Sequence, residues 1–379
     1  MKSPDGRGNR WAGLAEADAR DVREVLRRVP ASPRRLRDAK ALTEQEAVMA
    51  DADWAADLAV AAAAAIEAGR AIMRTFRTDM EVRQKAPDQP LTAADLEADR
   101  ILHERLLGAR PEYGWLSEET ADDAERRRRA RVWIVDPIDG TRSFIAGRRE
   151  FGISIGVAEE GVAMLGVILN PATGELYATW RGGGAWKLAD ALVSVVGVGE
   201  WGRGGVGADR GHPEGVGEPV PHSPTHPLSP SVVPAWTPIH VRAQVGDKPV
   251  ILASRSEIRD REFDSFAPWE LLPLGSTTYK LARLAEGAAD VFLSRGPKSE
   301  WDLCAGGLLV EEAGGVATDI RGEPLRYNRA DPRVYGILAA PPAMHGIVLR
   351  HLAGMAPPDR LARPAVDPLH PGLVEEEDE

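Results

Sequence analysis

Hydrophobic positions along this chain follow two rhythms, and the changes between them mark its elements. From residue 51, DADWAADLAVAAAAAIEAGRAIMRTF places Trp54, Leu58, Ala61 or Ala62, Ala65 and Ile72 or Met73 at helical spacing, which predicts one long amphipathic helix. PLTAADLEADRILHERLLGA repeats that period through Leu96, Ile101, Leu102 and Leu106, with Thr92 at the N-cap position, so a second helix is expected. Val132 to Val135 are continuously apolar, as in a strand covered on both faces. Residues 151–180 alternate apolar stretches with the turn sequences EEG and NPATGE, which predicts an antiparallel meander. Further on, TTYKLARLAEGAADVFLS and DLCAGGLLVEEAGG read as helix, short strand and helix. The order predicts an α+β part followed by an α/β part.

Composition divides the chain further. Residues 1–48 form a charged extension in which Pro30 and Pro33 interrupt any long helix. Residues 194–238 are rich in Gly and Pro, and Pro221, Pro224, Pro227 and Pro230 recur at every third position, one turn of polyproline II. That segment reads as a flexible insert or as a strip for an aromatic groove. His212, His222 and His226 within it have no carboxylate or thiolate framework that would make them a metal site. Residues 356–379 end in VEEEDE and read as a disordered acidic tail. The expected folded parts are therefore 49–193 and 239–355.

Charge and cysteine content exclude some functions. A net charge of −11 over 379 residues argues against a nucleic-acid binder. The run Arg126 to Arg129 directly follows acidic EETADDAE and reads as a solvated loop or helix end. Cys304 is the only cysteine, which rules out an intramolecular disulfide. With no apolar run near the roughly 18 residues of a membrane span and no apolar leader at the N-terminus, the expectation is a cytoplasmic protein that does not bind membranes.

The candidate chemistry is carboxylate chemistry. VWIVDPIDGT ends an apolar strand in Asp136 and Asp139, with Pro137 between them and Gly140 and Thr141 after. Such a turn either caps its own backbone or, together with a freed carbonyl at Ile138, holds a hard cation such as Mg²⁺. GWLSEET puts Glu118 and Glu119 at the end of another apolar stretch, PLTAAD supplies Asp95, and KSEWDLCAGG supplies Asp302 at a helix start. Several acidic side chains, each at an element end, would then converge on one pocket. Trp301 reads as a pocket-wall residue, Cys304 as a small buried hydrophobe, and Glu311 and Glu312 as surface charges.

Taken together, LTAAD, LSEE, DPIDGT and WDLCAGG followed by EEAGG resemble the inositol monophosphatase superfamily of Mg²⁺-dependent, lithium-sensitive phosphatases, over about residues 53 to 352. The resemblance implies a layered α-β-α-β-α sandwich and two or three Mg²⁺ ions. It implies one metal on Glu118, Asp136 and the Ile138 carbonyl, and a second on Asp136, Asp139 and Asp302. Thr141 and Asp95 would position the attacking water, Glu119 would stand near the outer metal shell, and backbone N–H groups of Gly140 and Thr141 would receive phosphate. Lys85 matches a lysine near the active-site loop. ASRSE, LGSTTYKLARLAEGAADVF and GPKSEWDLCAG look closest to the 3′(2′),5′-bisphosphate nucleotidase branch, with Ser254, Arg255, Ser276, Lys280 and Asp302 as candidate substrate contacts. DGTRSFIAGRREFGISI also resembles inositol-phosphate and histidinol-phosphate phosphatases, and members commonly form homodimers. Two other classes compete: a non-catalytic scaffold that binds partners through its insert, and an aspartyl-phosphate phosphatase, which wants D-x-D where this chain has D-x-x-D.

Overall fold

The computed structural model describes residues 44–79, 81–86, 89–194 and 236–355. The extension up to residue 43, the prolines from Pro221 to Pro230, His212, His222, His226 and the acidic tail lie outside them.

Helix α1 (Glu44–Met73) is followed by a small hairpin of β1 (Val82–Ala86) and β2 (Gln89–Thr92), then α2 (Ala93–Ala109). Thr92 caps α2 as the sequence predicts: its hydroxyl accepts from the Ala94 N–H, and Asp95 accepts in return from the Thr92 N–H at 2.8 Å. Both helices cover one face of a sheet that runs in the order β3 (Gly114–Ser117), β4 (Arg131–Asp139), β5 (Gly152–Glu159), β6 (Val162–Asn170), β7 (Glu175–Trp180), β8 (Gly184–Leu188), β9 (Thr237–Pro238). Within this sheet, among the described residues, only β3 and β4 pair in parallel. Short helices α3 (Thr141–Ile145) and α4 (Ala191–Ser194) follow β4 and β8.

The continuous apolar run of β4 has a direct cause. Trp133 and Val135 pack with α1 and α2, whereas Val132 and Ile134 point to the opposite face and join a second core. That second core is filled by α6 (Thr277–Ala285) and α7 (Glu300–Glu312). Before them come β10 (Val250–Ala253), α5 (Arg255–Arg259) and β11 (Glu270–Pro273); β12 (Val291–Ser294) and β13 (Lys298–Ser299) lie between them. After α7 come β14 (Val316–Thr318), β15 (Arg333–Val334), β16 (Ile337–Ala340) and α8 (Pro342–Leu352).

The second sheet runs β11-β10-β12-β16-β14 and packs one face on α6 and α7. Its other face, through Ile251, Val291, Leu293 and Leu338, meets Phe263, Phe266, Met344 and Val348. The layers therefore alternate helix, sheet, helix, sheet, helix. This is the α-β-α-β-α sandwich that the sequence motifs imply.

α7 lies between two sheets, and almost all of it is buried, including Leu303, Cys304, Leu308, Leu309 and Val310. Each leucine and valine among them contributes about 1.5–3 kcal/mol through burial. The helix comes this close because β5 and β6 present glycines to it. A Cβ on Gly156 would stand 2.5 Å from Cys304 Sγ, and one on Gly166 would stand 2.8 Å from the Ala305 carbonyl. Cys304 is thus the small buried hydrophobe expected, its thiol pushed well up by burial.

Two expectations change. Glu311 and Glu312 are not idle surface charges: Glu311 pairs with Arg181 at 3.0 Å, and Glu312 accepts from the Gly182 and Gly184 N–H groups, tying α7 to the β7–β8 turn. Arg126 is not solvated either. It is 3% exposed, grips Asp122, and reaches Asn328 and the Arg329 carbonyl about two hundred positions away. Sequence adjacency to acidic residues concealed that contact, because the partner lies in the other half of the chain.

Gly156→Ala is expected to lower stability by about 1–3 kcal/mol, since the added methyl meets a helix that cannot retreat. Urea unfolding reads this as a lower midpoint; an unchanged midpoint would mean that α7 has slack.

Candidate active site

In a regular strand, residues three apart point to opposite faces. Asp136 and Asp139 nevertheless meet, because the β4–β5 register shifts between them. Pro137 and Ile138 form the irregular stretch, which re-aims the end of the strand. Gly140 closes the turn at φ +95°, where a Cβ would stand 2.9 Å from the Glu150 carbonyl, so only glycine fits. Asp302 arrives from the first turn of α7, held by the Ser299 N–H at 2.8 Å. Oxygens of Asp136, Asp139 and Asp302 all lie within 4.8 Å of one another.

The surroundings hold these groups in place. Asp139 accepts from Ser276 Oγ at 2.7 Å and from the Thr278 N–H. Ser276 adopts φ +60° to do so, a backbone conformation rarely used by non-glycine residues, and its hydroxyl also caps α6. Asp136 accepts from the Ile138 N–H at 3.0 Å through one oxygen, while its other oxygen is buried without a partner. Glu118 and Glu119 are tethered together by Lys85, whose ammonium donates to them at 2.8 and 2.7 Å; the second oxygen of Glu119 is also buried and unpartnered. Asp99 fixes that segment by accepting from Ser117 and Thr120. Thr141 Oγ1 lies 3.2 Å from Asp95 and 3.0 Å from the Ile138 carbonyl.

Burial first, and like charge second, push these acids up. Asp302 rises to about 7 through burial and then Asp139, and Glu119 to about 8 through burial and then Glu118. Asp136 rises well above the usual carboxylate range through burial and the surrounding carboxylates, Glu118 foremost. A site that crowds oxygens, leaves two of them unpartnered and raises their proton affinity suits a hard divalent cation. All-oxygen donors fit Mg²⁺.

A cavity of about 640 Å³ opens over this group. It is lined by Glu118, Asp136, Ile138, Asp139, Gly140, Thr141 and Asp302, together with Ser254, Arg255 and Ser276. Asp95 and Glu119 stand behind that wall, joined to it through Thr141 and Lys85. Arg255 reaches the cavity with its guanidinium bound by Glu150. Lys280 does not line it: the side chain is 2% exposed and its ammonium donates to Ser254 Oγ at 2.8 Å, so it supports the wall from behind. Trp301 packs in the core, where its carbonyl accepts from Ser154. Sequence inspection overlooked Glu257, which accepts from the Ser254 N–H and Ser294 Oγ, although the S-x-x-E spacing of a capping box marks it. It also overlooked the cavity-lining Lys298 and Arg148.

The description "Inositol monophosphatase family" belongs to the family profile that matches residues 53–354. This chain belongs to the inositol monophosphatase family. Members of the family are phosphatases, so the chain is a phosphoric monoester hydrolase. An inositol-1-monophosphatase of Rhizobium meliloti (strain 1021) is 34% identical over 265 residues, covering 68% of this chain and 84% of the relative. A 3′(2′),5′-bisphosphate nucleotidase CysQ of Aggregatibacter actinomycetemcomitans is 26% identical over 267 residues, covering 70% of this chain and 85% of its own. Among solved structures, CysQ from Bacteroides thetaiotaomicron superposes with a TM-score of 0.53 at 27% identity, covering 76% of this chain and 97% of that one. The extragenic suppressor protein suhB from Bartonella henselae shares the fold with a TM-score of 0.59 at 24% identity, over 79% of this chain and 100% of that one. Among the described residues no helix is long and apolar enough to cross a membrane.

In this inositol monophosphatase family chain, the raised carboxylates bind protons on folding, so their contribution to stability falls as pH rises through about 7 to 8. Lys280, lowered to about 8 by burial, acts in the opposite direction only above that value. Metal-stripped protein is therefore expected to melt at a higher temperature near pH 6 than near pH 8, and Asp302→Asn to flatten the difference. Added Mg²⁺ should raise the melting temperature more near pH 8, where protons compete least. Equal shifts at both pH values would remove the cluster as the cation site.

Proposed function

We propose that the chain is a Mg²⁺-dependent phosphomonoesterase acting on 3′-phosphoadenosine 5′-phosphate through an activated water. The observation that carries the chemistry is the convergence of Asp136, Asp139 and Asp302 within 4.8 Å, with a buried oxygen of Asp136 left without a partner. Mg²⁺ held by Glu118, Asp136 and the Ile138 carbonyl, and by Asp136, Asp139 and Asp302, would supply an acidified water and offset charge on the departing oxygen.

The chain's own residues do the rest. Thr141 Oγ1, between Asp95 and the Ile138 carbonyl, aligns the water and hands its proton toward Asp95. Burial raises the proton affinity of Asp95, which suits it to that role. Lys85 keeps Glu118 and Glu119 side by side despite their like charge. Ser276 and the Thr278 N–H hold Asp139 against rotation. The N–H groups of Gly140 and Thr141, at the turn after Asp139, receive the phosphate. No side-chain nucleophile is needed.

For the substrate, the nucleotidase reading draws on the CysQ relatives and on a cavity of about 640 Å³, a volume suited to a whole nucleotide. A second reading, an inositol phosphate, draws on the 34% identity with an inositol-1-monophosphatase.

The test is phosphate release with Mg²⁺ by wild type and Asp136→Asn across 3′-phosphoadenosine 5′-phosphate, inositol 1-phosphate and histidinol phosphate. The wild type should favour the nucleotide, and the variant should lose about a thousandfold or more, as expected when several kcal/mol of charge stabilisation disappears. Higher kcat/KM on inositol 1-phosphate would overturn the substrate assignment. Full activity in Asp136→Asn would overturn the metal assignment.

A further inference from the structure

Asp136 and Asp139 share one turn, so their spacing is set locally. The spacing of Glu118 and Asp302 is not. Glu118 stands just past the end of β3, tied to β4 by its N–H to the Val135 carbonyl at 3.2 Å, whereas Asp302 comes from the first turn of α7. Contacts that start beside each of them run to one remote loop.

Four residues past Glu118, Asp122 accepts from Arg126 Nε at 2.6 Å and from a second guanidinium nitrogen at 2.9 Å. Arg126 lies in a single 3₁₀ turn, Ala124–Arg128, packed closely on the first sheet: a Cβ on Gly114 would stand 3.0 Å from Arg126 Cα and 3.1 Å from Val132. Its guanidinium then crosses to the loop before β15, where it donates to Asn328 Oδ1 at 2.7 Å and to the Arg329 carbonyl at 2.9 Å. The same two loop residues are held from the other side by α7. Glu300, the first residue of that helix and wholly buried, accepts from the Asn328 N–H at 2.6 Å and from the Arg329 N–H at 3.0 Å. Its own N–H donates to the Pro332 carbonyl at 2.8 Å. Asn328 serves both partners from a left-handed backbone at φ +57°, which asparagine adopts more readily than most residues.

The contacts Asp122 to Arg126 to Asn328 to Glu300 thus begin four positions after one carboxylate of the cluster and end two positions before another. Arg126 and Glu300 are both buried, and a charge out of water holds its partners firmly, because losing one leaves it unpaired. We propose that Arg126 is a positioning residue for the cation site: through Asn328 and Glu300 it fixes where Asp302 stands relative to Glu118, and so sets the affinity for Mg²⁺ without touching the ion. This rests on the reading of the carboxylate cluster as a Mg²⁺ site.

Calorimetric titration of Mg²⁺ alone into the metal-stripped full chain, at one fixed temperature, reads this without turnover, and melting temperatures check that each variant folds. Groups that orient metal ligands are worth about 10–100-fold in metal affinity. Arg126 acts from further out, and Arg126→Met should weaken Mg²⁺ binding by about tenfold. Asn328→Gly keeps the left-handed backbone and the N–H to Glu300 while deleting the side-chain link to Arg126. It should lose about as much, and it carries the test if Arg126→Met does not fold. The double variant should bind no more weakly than the weaker single one, because both changes break the same chain of contacts. In phosphate release, the Mg²⁺ concentration for half-maximal rate should rise in step, with kcat at saturating Mg²⁺ within about twofold of wild type. Thr318→Val, which removes a hydroxyl of β14 bonded to His345, should lower the melting temperature and leave Mg²⁺ affinity alone. Variants at Arg126 and Asn328 that melt earlier yet bind Mg²⁺ like wild type would make the clasp a matter of stability only and overturn the proposal. A wild type that takes up no Mg²⁺ would instead defeat the reading of the cluster, and the proposal with it.

Discussion

The rest of this structure is organised around a repulsion: carboxylates kept close together where burial leaves little water to screen them. Burial and mutual charge raise Asp136, Asp302 and Glu119 well above the usual range, and the fold must still hold their oxygens in register. It does so by binding one oxygen and leaving the other available. Asp302 and Asp95 each accept from the backbone N–H of their own helix cap, at Ser299 and Thr92. Asp136 accepts from the Ile138 N–H, and Asp139 from Ser276 and Thr278. Backbone donors suit this task because they are neutral, fixed by secondary structure, and unable to swing away.

Both halves of the sandwich are needed to assemble the group. Asp136 and Asp139 come from the first sheet, and Asp302 from the helix between the sheets. The close packing of Cys304 and Ala305 on Gly156 and Gly166 sets how near that helix comes, and therefore where Asp302 lands. Core packing and site geometry are the same constraint at this contact. A methyl group there would displace a carboxylate as well as strain the core.

Much of this was legible in the residues because the relevant signals are local. The T-x-x-D and S-x-x-D spacings at Thr92 and Ser299 announce helix starts, and the DPIDGT turn carries its own bend. The apolar rhythm of residues 132–135 and 151–180 identifies a covered strand and a meander, and the sheet has both. What was missed depends on contacts between distant segments. Arg126 looked like one of four solvated arginines until Asn328 closed over it. Glu312 looked like a surface charge until the β7–β8 turn offered it two N–H groups. Lys280 looked like a substrate contact, but Ser254 stands between it and the cavity. Spacing along the chain carries no information on any of these.

One feature of the first sheet reaches beyond catalysis. β8 and β9 are neighbours, with Trp186 opposite Pro238 and Lys187 opposite Thr237, although almost fifty positions of sequence separate them. Adjacent strands lie only about 5 Å apart, so the sheet holds the end of β8 beside the start of β9 across that separation. The entropy of bringing two chain segments together grows only with the logarithm of their separation. A long separation between two paired strands therefore costs this sheet edge little more than a short one, and none of Asp136, Asp139 and Asp302 lies on either strand.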